Sequence, residues 1–184
     1  MLHIGVFCTN IFYDDKHSSG IIADVSEFCD KFSFLTFEDD TAIPTFDVLI
    51  INDLHKQAAK VLEHMPTDSF VLINTDKRGS YSRIRRYSGT LITYGLNQKA
   101  CITASSIIDD DTTLGGQMQV CIQRSFPTIS GECAAVQEFP VHMHAFGVEA
   151  TLALVGMMLV CGAKVDTICK IFNRQAYTGL EQEA

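Results

Sequence analysis

The chain has 184 residues, of which 47% are hydrophobic and 20% are charged, and its formal net charge is −8. This apolar content is sufficient for the core of one folded domain and excludes a disordered chain. The negative charge argues against general binding to nucleic acid or to anionic membranes, because the long-range field repels phosphate groups.

The first half of the sequence alternates buried strands with helices. Four short apolar runs predict the strands Leu2–Cys8, Phe32–Phe37, Phe46–Ile51 and Ser69–Ile73. Between them, Ile21–Lys31 and Leu54–Met65 carry apolar residues at helical spacing. Strands that are apolar on both faces and alternate with helices indicate a largely parallel sheet with right-handed crossovers.

The pattern changes after residue 88. Four strand-like segments without helices between them predict a small antiparallel meander: Thr90–Gly95, Ala100–Ile108, Gln117–Ser125 and Ala134–His142. Two helices are predicted to close the chain, Phe146–Cys161 and Val165–Phe172, followed by a loose tail from Arg174. The predicted fold is therefore one α/β unit, with a parallel part at 1–88, an antiparallel β subdomain at 89–144 and closing helices at 145–175.

Cellular location is indicated by three features of the sequence. The N-terminus has no basic region followed by an apolar stretch, so we expect no signal peptide. The longest apolar run, near Ala150–Cys161, is too short to span a bilayer and suits a buried helix. The seven cysteines include no C-x-x-C pair, which is typical of reduced thiols in the cytoplasm.

The segment Phe70–Ile107 carries three motifs in order: an N-x-D element at Asn74 and Asp76, a T-Y-G strand at Thr93–Gly95, and an A-S-x-I strand at Ala104–Ile107. This order resembles the central domain of the Mur ligases, and folylpolyglutamate synthetases are similar at the same level. Three further segments line up with elements of that family: Ile4–Asn10 with its phosphate loop, Asp47–Lys60 with its T-N-x-x-x-D-H element, and Glu138–Leu159 with its H-N-x-x-N region.

The resemblance implies the Mur ligase central fold and amide-bond formation driven by ATP and Mg²⁺. It also implies a set of nucleotide-binding residues: Thr9, Asn10, Asn74, Asp76 and His144. For Asn74 and Asp76 the residue types leave an alternative, because both are good caps of the turn that follows a strand.

The phosphate loop departs from the family pattern I-G-x-T-G-T-N-G-K-T-T. Cys8 occupies a glycine position, and Ile11–Asp14 replace the G-K-T-T residues. A phosphate loop needs glycines for close backbone approach and a lysine for the outer phosphates. The family's two asparagines after the histidine are Ala145 and Val148 here. The sequence therefore predicts a stand-alone, degenerate domain with no catalytic residue assigned.

A basic run stands out against the negative net charge. It consists of Lys77, Arg78, Arg83, Arg85 and Arg86. Such a run binds a phosphate-bearing ligand or an acidic partner surface, or it is a solvated face that balances nearby carboxylates.

Metal ligation and nucleophilic catalysis are the remaining candidate chemistries. His142 and His144 would point to one face of a strand, but no further ligand stands at a recognisable spacing, so we predict packed histidines and no metal site. Cys8 is a candidate nucleophile at the end of a strand, with a core cysteine as the alternative.

The function predicted from the sequence is a non-catalytic binding module. Its partner would be another protein, a copy of itself through the apolar C-terminal helix, or weakly a nucleotide. The alternative is an ATP-binding subunit of an amide ligase that partner chains complete. A third hypothesis is a sensor of a phosphate-bearing ligand that uses the basic run.

Overall fold

One eight-stranded sheet and a separate two-stranded sheet organise the computed structural model, which describes residues 1–7, 23–35, 45–53, 56–77, 84, 87–108, 116–143 and 147–178. The strands are β1 (His3–Phe7), β2 (Lys31–Leu35), β3 (Val48–Ile51), β4 (Phe70–Asn74), β5 (Thr90–Tyr94), β6 (Ile102–Ile108), β7 (Gln117–Ile122), β8 (Phe126–Pro127), β9 (Cys133–Ala134) and β10 (Gln137–His142). The helices are α1 (Lys56–His64), α2 (Gly147–Val160) and α3 (Val165–Thr178), and residues 23–26 are also helical.

The large sheet has the strand order β10-β7-β6-β5-β4-β3-β1-β2. From β2 to β5 every neighbouring pair is parallel, and a single parallel bridge between Tyr94 and Ile102 joins β5 to β6. The pairs β6–β7 and β7–β10 are antiparallel. Strands β8 and β9 form the small sheet. The predicted fold class, a mostly parallel α/β sheet with an antiparallel portion, is confirmed.

The central strands are buried on both faces, as continuous apolar runs predict. In β3, Val48 and Ile50 belong to one core cluster, while Leu49 and Ile51 belong to the other. The first cluster lies under α2 and α3, and the second includes residues of α1. The sheet is therefore the middle of three layers.

Helix α2 is apolar around its whole circumference because it lies inside the protein. Every residue from Ala150 to Val160 is buried. At Gly156 the helix approaches the sheet so closely that an added Cβ atom would lie 2.7 Å from Leu72 Cδ2. The predicted buried helix is confirmed. Within the described ranges, no helix has both the length and the apolar character needed to cross a membrane.

Two predictions about the later elements are wrong. Thr90–Gly95 does not begin the antiparallel meander, because β5 pairs in parallel with β4. The alternation misleads because Leu91 is exposed while Ile92 is buried, so that β5 is covered on one face only. The predicted loose tail from Arg174 is also wrong as far as Thr178, because α3 continues to that residue.

Candidate functional site

Polar residues collect at the carboxyl ends of three neighbouring parallel strands. Asn52 and Asp53 follow β3, Asp76 and Lys77 follow β4, and Gly95 follows β5. In open α/β sheets the crevice beyond the carboxyl ends of the strands is the usual place for a ligand. We refer to these residues, together with Asn74, Tyr94, Asn97 and Glu149, which contact them, as the carboxyl-edge cluster.

The centre of the carboxyl-edge cluster is a buried hydrogen-bond network around Asn74, which has no exposed surface. Asn74 Nδ2 donates to Asn52 Oδ1 at 2.7 Å, and the Tyr94 hydroxyl donates to the same oxygen at 3.3 Å. Asn74 Oδ1 accepts from the backbone N–H of Asp76 at 2.8 Å. The amide group of Asn74 therefore ties β3 to β4 and shapes the turn after β4, as the capping alternative predicts.

The carboxylate of Asp76 holds the turn that follows β5. It accepts hydrogen bonds from the backbone N–H groups of Leu96, at 2.6 Å, and Asn97, at 3.0 Å. The Nδ2 atom of Asn97 donates to the same carboxylate at 3.3 Å. Asp76 therefore caps the turn after β5, 20 positions away in the sequence, and not the turn after its own strand that the capping alternative names.

The absence of a side chain at Gly95 leaves room for the Asp76 carboxylate. Its φ angle is +141°, and an added Cβ atom would lie 2.7 Å from Asp76 Oδ2. A side chain is therefore disfavoured by the backbone conformation and by contact. The N-x-D and T-Y-G motifs, which start 19 positions apart at Asn74 and Thr93, form one interacting unit.

Lys77 reaches across to the first turn of α2. Its Nζ atom lies 2.8 Å from Glu149 Oε1. The hydrogen bond to Glu149 raises the pKa of Lys77 above its ordinary value against the opposing effect of desolvation, and the charges of Glu149, Asp53 and Asp76 raise it further. Three carboxylates therefore surround the charge of Lys77. This agrees, for Lys77, with the hypothesis that the basic run balances nearby carboxylates.

In the described part of the cluster, Asn74 and Asp76 are hydrogen-bonded to Asn52, Leu96 and Asn97, and the described cation, Lys77, is paired with Glu149. Among the described residues, no group of three histidine, cysteine or acidic side chains is arranged to hold a metal ion.

Several predicted residues lie outside the described part of the chain. They are Cys8, Thr9, Asn10, Arg78, Arg83, Arg85, Arg86 and His144. The structure brings Asn74, Asp76 and Lys77 together at one edge of the sheet. His142 is buried in β10, where its backbone N–H donates to Asn173 Oδ1 at 3.1 Å.

Sequence reasoning missed three members of the carboxyl-edge cluster: Tyr94, Asn97 and Glu149. For Tyr94 a signal existed, because it is the aromatic residue of the T-Y-G motif. For Asn97 and Glu149 no motif pointed to the site, since each acts on a partner that is 20 or more positions away in the sequence.

Comparison with known proteins supports the fold. No family model matches the sequence, and no curated protein matches it either. Among solved structures, MurF from Acinetobacter baumannii has a TM-score of 0.67 at 10% identity, covering 94% of this chain and 46% of that one. A murein peptide ligase from Psychrobacter arcticus has a TM-score of 0.66 at 12% identity, covering 92% and 46%.

This chain therefore spans about half the length of those two solved chains. At 10 to 12% identity the likeness concerns the fold alone. The resemblance to the Mur ligase central domain is confirmed at that level.

The substitution Gly95→Ala should lower the free energy of unfolding by about 1–3 kcal/mol, because it combines a disfavoured φ angle with contact against Asp76. Gly131→Ala is the matched control, since Gly131 has φ +84° but no heavy atom within 4 Å of an added Cβ. Urea denaturation measures both. Equal losses in the two variants would show that the approach to Asp76 contributes nothing.

The substitution Asn74→Ala should lower the free energy of unfolding by about 2 kcal/mol, since it removes a hydrogen-bond partner of the buried Asn52 side chain and of the part-buried backbone N–H of Asp76. A double-mutant cycle with Asn52→Ala separates the Asn74–Asn52 hydrogen bond from other losses. We expect the combined loss to be smaller than the sum of the single losses. Strict additivity would contradict the hydrogen bond as described.

The ion pair of Lys77 should contribute about 1 kcal/mol or less, because the Lys77 side chain is 39% exposed. A raised pKa means that this contribution is present below the ordinary lysine value of 10.5 and is lost as pH rises through the raised value. Lys77→Gln should therefore be slightly less stable than the native protein at neutral pH and equally stable in strong alkali. Chemical denaturation at the two pH values tests this, and a difference that persists in alkali would contradict it.

Proposed function

We propose that this chain is a non-catalytic domain with the Mur ligase fold that binds a protein partner or a second copy of itself. The observation that carries the proposal is the internal use of the carboxyl-edge cluster. The resemblance links Asn74 and Asp76 to the nucleotide. In this protein their side chains form hydrogen bonds with Asn52, Leu96 and Asn97. They act as scaffold.

The sequence of the first loop supports the same proposal. Phosphate binding depends on backbone N–H groups exposed by glycines and on a lysine that spans the outer phosphates. Cys8 and Phe12 stand at positions where the family pattern has a glycine and its lysine, and Asp14 and Asp15 add negative charge. A triphosphate would meet repulsion from this loop and from the carboxyl-edge cluster together.

The alternative function is an ATP-binding subunit of an amide ligase. The observation that favours it is the overall likeness to two ligases over more than nine-tenths of this chain. The sequence spans about half the length of those two solved chains, and in this alternative function partner chains complete the ligase. Ligases exclude water by closing such parts around the reacting groups. Nucleotide binding is the property that separates the two functions.

Titration with MgATP tests the proposed function. A ligand at about 100 times its Kd stabilises a protein by about 2.7 kcal/mol, which a thermal melting curve detects readily. We expect no saturating shift at millimolar MgATP beyond that caused by magnesium chloride alone. A saturating shift that disappears in Asn10→Ala would support the ligase subunit and would overturn the binding-only function.

A further inference from the structure

A recess lies on the face of the sheet opposite α2 and shares Asn97 with the carboxyl-edge cluster. It is an open cleft of about 910 Å³ whose lining includes Leu91, Thr93, Asn97, Lys99, Cys101 and Arg124. We call it the β5 cleft. Its volume lies at the upper end of the range for pockets that hold small ligands, roughly 300–1,000 Å³.

Strand alternation explains why the β5 cleft has an apolar floor. Ile92 and Tyr94 belong to the core cluster under α2, so Leu91 and Thr93 point to the opposite face. On that face the described core cluster covers β3 and β4 and includes no residue of β5. Leu91 is consequently 36% exposed.

The charge of the β5 cleft is opposite to that of the whole chain. The charged residues in its described lining are Lys99 and Arg124, and no carboxylate is among them. Neither makes an ion pair with a described residue. Asp76 contacts Asn97 at the margin, but its carboxylate already accepts the N–H groups of Leu96 and Asn97. Two available cations beside an apolar strand side chain therefore stand out in a protein of net charge −8.

We propose that the β5 cleft docks a short acidic peptide segment of a partner protein. Carboxylates of the segment contact Lys99 and Arg124, whose guanidinium group suits two-point bonding to a carboxylate. An apolar side chain of the segment covers Leu91. A segment fits better than a compact small molecule because the cleft is open. The inference rests on the proposed function, since it names the surface and the partner chemistry of the binding module.

Fluorescence anisotropy with a labelled hexapeptide of alternating glutamate and leucine tests this surface. We expect saturable binding that weakens about tenfold or more in the double variant Lys99→Glu, Arg124→Glu, since charge reversal at two contacts costs more than 1.4 kcal/mol. The matched control is Lys164→Glu, Lys170→Glu, which changes the net charge equally at exposed positions outside the cleft. This control should bind the peptide within about twofold of the native protein.

Alkylation of cysteine gives a readout that needs no variant. Cys101 lines the cleft and is partly buried, whereas Cys133 is exposed elsewhere on the surface. Bound peptide should slow the modification of Cys101 by iodoacetamide and leave that of Cys133 unchanged, as measured by mass spectrometry. If the charge-reversed protein fails to fold, this protection decides the question.

Three results would overturn the proposal. They are the absence of binding at millimolar peptide, equal weakening in the two charge-reversed proteins, and equal binding of a hexapeptide of alternating lysine and leucine. Displacement by millimolar N-acetylglutamate would assign the cleft to a small carboxylate and would also count against a peptide. None of these outcomes contradicts the proposed non-catalytic function. A saturating MgATP shift would contradict that function, and the peptide experiment would still decide whether the cleft binds an acidic segment.

Discussion

The hydrogen bond from Asn74 to Asn52 is the constraint on which the carboxyl edge of the sheet depends. An amide group without exposed surface must find its partners inside the protein, because leaving one unbonded costs about 1–3 kcal/mol. Asn74 meets this requirement by bonding to the end of β3 and to the turn after β4. That turn places Asp76, and Asp76 in turn fixes the backbone after β5. The positions of three strand ends therefore follow from one buried side chain.

This dependence explains which motif residues accompany the fold. Asn74, Asp76 and Gly95 match the resemblance, and each has a structural task in the described network. The resemblance aligns Cys8, Ile11 and Phe12 with two glycines and the lysine of a phosphate loop, residues whose purpose in the family is to contact a ligand. A fold can persist without the chemistry it supports elsewhere, since function depends on the site and not on the scaffold.

Much of the scaffold could be predicted from the sequence because local patterns reflect burial. Continuous apolar runs indicate strands covered on both faces, and β1, β3 and β4 confirm this. The direction of β5 could not be predicted, because one exposed face gives the same alternation in parallel and antiparallel strands. The pairing of Lys77 with Glu149 and the placement of Lys99 and Arg124 in the lining of one cleft could not be predicted either. Both depend on how distant segments are placed in space, which residue types alone do not reveal.

The contrast between the acidic carboxyl edge and the basic β5 cleft has a consequence for how an acidic partner would bind. At physiological ionic strength, charges in solvent are screened beyond about 8 Å, so Lys99 and Arg124 act mainly on groups that are already close. At lower ionic strength the net charge of −8 extends further and repels an acidic segment before it reaches them. Added salt weakens this repulsion and the local attraction together, and the two effects oppose each other in the observed affinity. Comparing two variants of equal net charge removes the shared long-range part, so the difference between them reports the contacts within the cleft.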